Sequence, residues 1–275
     1  MTLLKGVQYW ALFNRKTSYL QILRIIIFQN ALSNLVANSA GVASYFTLFR
    51  VEQDVNFKRS GLVFLITKIG DLFSMGSFLL IATLLTWKRV TALHQMTSIL
   101  LAGILLGLFV FIAVIVFRGK LILLVAHAVH WLQLDRFKFV NSGLNLLRFL
   151  AEQEQKKLIS AFLLACLLSL IYMSATVLYA FSRVKAFHIP IDFWASTYMV
   201  SFMQFISLIP IQILGGLGVS EFVSIYFFNL FGITQFDIPA TLIGRRVMTY
   251  LFSLISLLYI PLDMLFARLR LSKPK

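Results

Sequence analysis

The chain has 275 residues, of which 60% are hydrophobic and 13% are charged. A soluble globular domain averages about 25% charged residues, so this composition excludes an ordinary soluble domain and indicates a polytopic helical membrane protein. The net charge of +15 is attributed to basic loops on one membrane face and to attraction by anionic lipid, because no nucleic-acid-binding motif accompanies it. We expect no nucleic-acid partner.

Apolar runs separated by polar loops predict an all-α bundle that forms one transmembrane domain over residues 1–275. Residues 1–17 are aromatic and basic and are predicted to form a short interfacial segment. Residues 118–157 mix short apolar and polar stretches and are predicted to lie on one membrane face as amphipathic helices. In chain order, the other predicted helices cover 18–37, 42–50, 60–87, 92–117, 158–182, 193–213, 219–231 and 239–266.

The stretch LIPIQILGGLGVSEFVSIYFFN, residues 208–229, interrupts an apolar run with a proline, three glycines and a carboxylate. Irregular backbone at membrane depth is tolerated only against protein or a water-filled cavity, so this break predicts the wall of a polar site. Gly215, Gly216 and Gly218 would permit the turn, and Ser220 would cap the following helix. The first free amides of that helix would then attract an anion such as phosphate.

A similar break is predicted in the first half, where the stretch NLVANSAGVAS interrupts the apolar run. Asn38 lies at this break, and the segment from Gly41 to Ser44 would offer the same amide-rich helix start. Both breaks would form broken, re-entrant helix pairs that wall one polar site.

The two halves share a plan that predicts an inverted repeat. Gly41 lies 27 residues before Lys68, and Gly218 lies 27 residues before Arg245, so the two units are offset by 177 residues. Transporters built from inverted repeats place their binding site between the repeats. The predicted halves cover residues 18–90 and 193–268.

The distribution of basic residues predicts the orientation in the membrane. If both broken pairs are re-entrant, 17 of the 25 Lys and Arg residues fall on the side of the C-terminal tail. The positive-inside rule then places that tail in the cytoplasm. As a separate expectation, the membrane is the cytoplasmic membrane of a bacterium or archaeon. Four basic residues fall on the outer side: Lys88, Arg89, Arg183 and Lys185.

Charges inside the apolar runs are candidate site residues, because such charges are costly in a membrane and are usually paired or functional. Lys68 and Asp71 are spaced to neutralise each other on one helix face. Arg245 and Arg246 point about 100° apart, so one could pair with Glu221 while the other faces a cavity. The alternative is that these ion pairs only fix helix packing.

Other chemistry finds little support in the sequence, and no cofactor or metal is expected. His127 and His130 share a helix face without an acidic ligand nearby and are predicted to be interfacial. The interfacial candidates for a catalytic base have no partner pattern, and they are Asp135, Glu152, Glu154 and Asp192.

Four of these features resemble the transmembrane domain of the lysylphosphatidylglycerol synthase/flippase family. They are P-x4-GGLGVSE at 210–221, N-x3-N-x2-GVASY at 34–45, ITKIGDLFS at 66–74, and Arg245. The resemblance covers about residues 15–268. It implies a helical bundle with two re-entrant elements and, in some members, translocation of aminoacylated phosphatidylglycerol or a polyprenyl-linked lipid between leaflets.

We expect the chain to depart from that family in two respects. It begins after the family's usual first helix, and it lacks the soluble domain that transfers the amino acid in full-length synthases. Aminoacylation by this chain alone is therefore not expected.

The leading hypothesis is a lipid flippase for an anionic or aminoacylated phospholipid or a polyprenyl-phosphate-linked lipid. Its predicted substrate-binding residues are Asn38, Gly41, Ser44, Lys68, Asp71, Gly215, Gly216, Gly218, Ser220, Glu221, Arg245 and Arg246. Two alternatives stay open: a lipid-modifying transferase or its partner subunit, and a non-transporting membrane subunit that binds lipid and anchors another protein. A homo-oligomer, or a glycosyltransferase or synthase partner, is compatible with each.

Overall fold

The structure is a computed structural model that describes residues 1–13, 18–53, 55–131, 149, 152–207, 218–234 and 238–258. Most of these residues are helical. Nine α-helices lie in these residues: α1 Thr2–Leu12, α2 Tyr19–Leu35, α3 Asn38–Gln53, α4 Phe57–Thr86, α5 His94–Trp131, α6 Gln155–Ala186, α7 Phe193–Ile206, α8 Val219–Leu230 and α9 Ile238–Leu257. Two short 3-10 turns, Trp87–Arg89 and Thr91–Leu93, connect α4 to α5.

Three stretches of the described chain are long and apolar enough to cross a membrane: Phe57–Arg89, Thr91–Phe117 and Gln155–Ala186. They contain α4, most of α5, and α6. Large apolar side chains of α5 point away from the bundle, with Leu105 and Phe109 66% and 68% exposed. Such a surface is stable against lipid and costly against water. The protein is therefore an all-α, multi-pass membrane protein, which confirms the prediction from composition.

Helix α4 lies at the centre of the bundle, where it packs against α3, α5, α6 and α7. The buried apolar side chains form two clusters along it. The first joins α4 to α1, α2, α3, α5 and α6, and it includes Tyr9, Ile22, Phe49 and Ile66. The second joins the other end of α4 to α7, α8 and α9, and it includes Leu79, Tyr198, Phe202 and Phe227.

Helix α1 packs inside the bundle, against α2, α4 and α6. Gln8 and Tyr9 are 1% and 3% exposed, and Leu12 and Phe13 are also buried. The predicted interfacial segment is therefore wrong for residues 2–12. The aromatic side chains that indicated a membrane surface instead fill the space between α2 and α4, since one helix face of α1 is apolar enough to be buried.

Helix α5 continues without interruption from His94 to Trp131. The candidate membrane span in this helix reaches Phe117, in agreement with the predicted 92–117, and the helix itself continues beyond it. That residues 118–131 lie at a membrane surface stays a prediction. A glycine inside a helix costs only about 1 kcal/mol, so Gly119 between two basic residues does not end the helix. The rest of the predicted interfacial segment lies mostly outside the described residues, in 132–148 and 150–151.

The first break is present, but it lies before Gly41. Helix α2 ends at Leu35, and Val36 leaves the helix with φ −115° and ψ −77°. Helix α3 begins at Asn38 and runs through Gly41, whose N–H donates to the Ala37 carbonyl at 3.2 Å. Because its amide is already bonded, Gly41 does not contribute a free helix-start amide, and that prediction is wrong.

Gly41 instead lets α3 pack closely against α2. A Cβ at this position would lie 1.9 Å from Ser33 Oγ and 2.6 Å from the Gln29 carbonyl oxygen. Ser44 belongs to the same helix interior, where its hydroxyl donates to the Gly41 carbonyl at 2.7 Å. The GVAS stretch is thus a helix–helix contact and not a turn.

The second break ends at Gly218, which has φ +86° and directly precedes α8. A left-handed backbone of this kind favours glycine, so Gly218 is the residue that starts the helix. The prediction that Ser220 caps α8 is therefore wrong, because Ser220 is already the second residue of the helix. Gly215 and Gly216 lie outside the described residues.

Candidate functional site

A polar cavity of about 880 Å³ lies between α1, α2, α3, α4, α6 and α7. We call it the central cavity. Amide, hydroxyl and charged side chains form most of its polar surface: Lys5, Gln29, Asn30, Ser33, Asn34, Asn38, Ser39, Lys68, Asp71, Ser74, Gln204 and Ser207. Such a concentration of polar groups among apolar helices needs water or a polar ligand to satisfy it.

An ion pair between α1 and α4 borders the central cavity. Lys5 Nζ lies 2.5 Å from Asp71 Oδ1, with the two side chains only 15% and 23% exposed. Lys5 also donates to Gln8 Oε1 at 2.9 Å. Ser169 of α6 donates to Asp71 at 2.8 Å and accepts from Gln8 at 2.7 Å. This network ties three helices together at one wall of the cavity.

Gly70 brings α6 close enough to α4 for that network to form. A Cβ at Gly70 would lie 3.0 Å from the backbone of Ala165 and 3.1 Å from Ser169 Oγ. Asp71, the next residue on α4, can therefore reach the Ser169 hydroxyl. The IGD sequence thus combines a close helix contact with a buried carboxylate.

Lys68 lines the same cavity without an acidic partner among the described residues. Its ammonium lies 5.5 Å from the centre of the Phe64 ring. The predicted neutralisation of Lys68 by Asp71 is therefore wrong, because the carboxylate is directed to Lys5 instead. One helical turn from the ion pair, the cavity retains a cation that can contact a ligand.

The start of α3 and the end of α7 meet at the central cavity. The Asn38 side chain, at the start of α3, donates to the Ser207 carbonyl at 2.9 Å. Ser207 directly follows α7 and is the last described residue before the second break. Asn34 donates to Ser253 of α9 at 3.1 Å, so the two halves are also joined beside the cavity.

A second cavity of about 340 Å³ adjoins the first, and we call it the side cavity. The two cavities share Tyr172, Gln204 and Ser207 in their linings. Arg183 of α6 and Arg245 of α9 both line the side cavity. The sequence placed Arg183 in an outer loop, but α6 extends to Ala186, so this guanidinium belongs to the bundle.

Glu221 connects the start of α8 to α9. Its Oε2 accepts the Gly218 N–H at 2.8 Å, so the carboxylate satisfies one of the first amides of α8. Its Oε1 lies 3.4 Å from Arg246 Nε and 3.9 Å from an Arg245 nitrogen. Arg246 is the nearer partner and also lies over the Tyr250 ring at 5.6 Å. This arrangement fits the predicted split, in which one arginine pairs with Glu221 and the other faces a cavity.

The structure therefore brings some of the predicted site residues together and separates others. Asn38, Lys68 and Asp71 line the central cavity, and Arg245 lines the side cavity. Whether these residues bind substrate stays a prediction. Six predicted residues line neither of these cavities: Gly41, Ser44, Gly218, Ser220, Glu221 and Arg246.

Sequence reasoning missed Lys5 and Arg183. Lys5 has a usable signal, since it stands three residues before Gln8 and the pair shares one face of an otherwise apolar helix. Arg183 follows Tyr179 by one helical turn, and its guanidinium lies 4.5 Å from the centre of that ring. An aromatic residue one turn before a basic residue indicates that the helix continues at least that far.

The candidate catalytic bases are not assembled into a site among the described residues. Asp192 accepts the Trp194 and Ala195 N–H groups at 3.0 and 2.9 Å, which caps α7, and it pairs with Arg89. Burial favours the neutral form of Asp192, but the Ala195 N–H and the Arg89 guanidinium outweigh it and hold the pKa below its ordinary value. Glu154 is exposed and pairs with Lys157 at 3.1 Å. Asp135 lies outside the described residues.

Comparison with known proteins gives one match. A family model described as the lysylphosphatidylglycerol synthase TM region matches residues 1–256. No curated protein and no solved structure matches the chain. The family match covers every helix described above almost to the end of α9, and so includes both cavities.

Proposed function

We propose a lipid-translocating function from one premise: the chain belongs to the family of lysylphosphatidylglycerol synthase transmembrane regions. In this proposal the protein carries a lipid headgroup between the two leaflets. The candidate substrates are an anionic or aminoacylated phospholipid and a polyprenyl-phosphate-linked lipid. The observation that supports it most is the central cavity, which places polar side chains from six helices within an apolar bundle.

The barrier to lipid movement is the transfer of a polar headgroup through hydrocarbon. A phosphate or hydroxyl group that loses its water without replacement pays several kcal/mol. The amides and hydroxyls of the central cavity, among them Gln29, Asn34 and Asn38, can replace part of that water. A volume of about 880 Å³ is within the range of pockets that hold small molecules, so it is adequate for a headgroup.

In this mechanism Lys68 provides the charge that attracts the headgroup. Its ammonium is half-buried and has no carboxylate partner among the described residues, so a phosphate would gain an ion pair without breaking one. The Lys5–Asp71 pair keeps α1 against α4 and shapes the cavity wall. Movement of one half of the bundle against the other would open the cavity to each leaflet in turn.

Replacement of Lys68 tests this function directly. Lys68→Ala should lower leaflet-to-leaflet movement of a fluorescent phosphatidylglycerol about tenfold or more in reconstituted vesicles, equivalent to about 1.4 kcal/mol of lost stabilisation. Lys58→Ala is the matched control, because Lys58 lies on the same helix, is exposed and lines neither cavity. Equal rates in wild-type protein, Lys68→Ala and Lys58→Ala would contradict the proposal.

A further inference from the structure

Positively charged side chains outnumber negatively charged ones in the linings of the two cavities. Among the described residues, the central cavity contains Lys5, Lys68 and one acid, Asp71. The side cavity contains Arg183 and Arg245 and has no acidic side chain in its described lining. Four cations thus face one carboxylate across two adjoining spaces.

The acids near the cavities already have partners. Asp71 is paired with Lys5 at 2.5 Å and accepts a hydrogen bond from Ser169. Glu221, which lines neither cavity, accepts the Gly218 N–H at the start of α8 and pairs with the arginines of α9. A cationic headgroup would therefore need to displace an existing ion pair before it could reach a free carboxylate.

Of the two cations in the side cavity, Arg245 lies 3.9 Å from Glu221, whereas Arg183 has the Tyr179 ring as its neighbour at 4.5 Å. No carboxylate lies within ion-pair distance of Arg183 among the described residues, and its buried Nε has no hydrogen-bond partner there. It lines the same small cavity as Arg245, so two positive charges face one space. Two guanidinium groups in one small cavity are stabilised when an anion lies between them, and the fork of N–H groups matches phosphate oxygens.

We propose that Arg183 and Arg245 form a phosphate-binding subsite in the side cavity, and that the chain therefore selects an anionic, phosphate-bearing lipid over a lipid with a cationic aminoacyl headgroup. This selectivity rests on the proposed function, because the side cavity adjoins the central cavity through shared residues. The phosphate would contact Lys68 in the central cavity and the two arginines in the side cavity at different stages of its path, since the two cavities adjoin.

The apolar part of the side cavity supports a lipid as the source of the phosphate. Its lining includes Phe187, Ile189, Met199, Phe228 and Leu242. A free phosphate ester gains nothing from such a surface, whereas the acyl or prenyl chain of a lipid can lie against it and stay out of water.

Binding of three soluble probes to the detergent-purified full chain tests the proposal. The probes are short-chain phosphatidylglycerol, short-chain lysylphosphatidylglycerol, and glycerol phosphate, which has the anion without the chains. Wild-type protein should bind phosphatidylglycerol at least about tenfold more tightly than either other probe, a difference of about 1.4 kcal/mol. This comparison needs no variant and so does not depend on the folding of one.

A pair of variants then assigns the selectivity to Arg183. Arg183→Gln should weaken phosphatidylglycerol binding about tenfold or more and should reduce the preference over lysylphosphatidylglycerol. Lys185→Gln is the matched control, since it removes the same charge from an exposed position on the same helix that lines neither cavity. It should bind all three probes as wild-type protein does.

The outcomes separate this inference from the proposed function. Equal affinity for the two lipid headgroups, or no change in Arg183→Gln, would overturn the selectivity. Glycerol phosphate bound as tightly as the lipid would overturn the assignment to a lipid. Arg183-dependent binding without movement in vesicles would support the subsite and contradict translocation. Equally fast movement of both headgroups by wild-type protein would support translocation and contradict the selectivity.

Discussion

Lys5 of α1 and Asp71 of α4 form a largely buried ion pair, with side chains 15% and 23% exposed. Removal of one partner from a buried pair leaves a charge that neither water nor protein satisfies. Replacement of both by uncharged residues of similar shape is often neutral. The pair should therefore matter for the stability of the fold mainly because removal of one partner is costly.

A double-mutant cycle measures the energy of interaction between Lys5 and Asp71. Lys5→Met should lower the free energy of unfolding of the detergent-solubilised protein by about 3 kcal/mol, because Asp71 is left unpaired. The double variant Lys5→Met/Asp71→Asn should recover most of that loss. Lys58→Met, at an exposed position of α4, is the control and should change little. If the double variant lost as much unfolding free energy as the two single variants added together, the interaction between Lys5 and Asp71 would contribute nothing to stability.

At the residue scale, the sequence identifies a charge more readily than its partner. Lys68, Asp71 and Arg245 could be singled out because each interrupts an apolar run. The partner of Asp71 could not, since Lys5 lies 66 positions away and stands among residues that indicate a membrane surface. Spacing along the helix favoured Lys68 as the partner of Asp71. Helix packing instead brings Lys5, which is distant in sequence, into contact with the carboxylate.

At the scale of elements, α2 and α3 pack closely against each other at Gly41. One Cα hydrogen of Gly41 faces Ser33 and the Gln29 carbonyl of α2, where a methyl group would lie 2.6 Å or less from both oxygen atoms. A backbone carbonyl cannot rotate away as a side chain can. The two helices would have to separate, and the wall of the central cavity, which includes Ser33 and Asn38, would move with them.

Gly41→Ala should accordingly destabilise the protein by about 1–3 kcal/mol, the usual cost of overpacking. Gly107→Ala in α5 is the control, because nothing lies within 4 Å of a Cβ there. Alanine is favoured over glycine in a helix by up to about 1 kcal/mol, so this variant should be neutral or more stable. Thermal unfolding in detergent compares the two. Equal stability of both variants would contradict the close packing of α2 on α3.

The positions of the long apolar helices were predictable because apolar runs of that length have few other folds in a membrane. The length of α5 was not, since this helix continues to Trp131 beyond its apolar run. The helix breaks were harder, since a glycine serves either a turn or a close helix contact. Gly218, in the stretch GVSE, has the left-handed backbone of a turn, whereas Gly41, in the similar stretch GVAS, lies inside a helix. Only the neighbouring helix decides between the two, and a single sequence does not contain that information.

At the scale of the whole molecule, the two halves meet around one polar space. The start of α3 donates to the backbone after α7, and α2 packs against α9. The order of helix, break, helix and longer helix occurs in both halves, over α2–α4 and α7–α9. The inverted relation of the halves and the cytoplasmic position of the C-terminus stay predictions from the sequence.

The central claim is that the polar cavity between these helices receives a lipid headgroup. An experimental density map of the protein in nanodiscs that contain phosphatidylglycerol tests it most directly. The claim predicts headgroup density inside the central cavity, with a phosphate oxygen within hydrogen-bond distance of Lys68 Nζ, about 2.7–2.9 Å. Lipid density confined to the outer surface of the bundle, with only water in the central cavity, would contradict it.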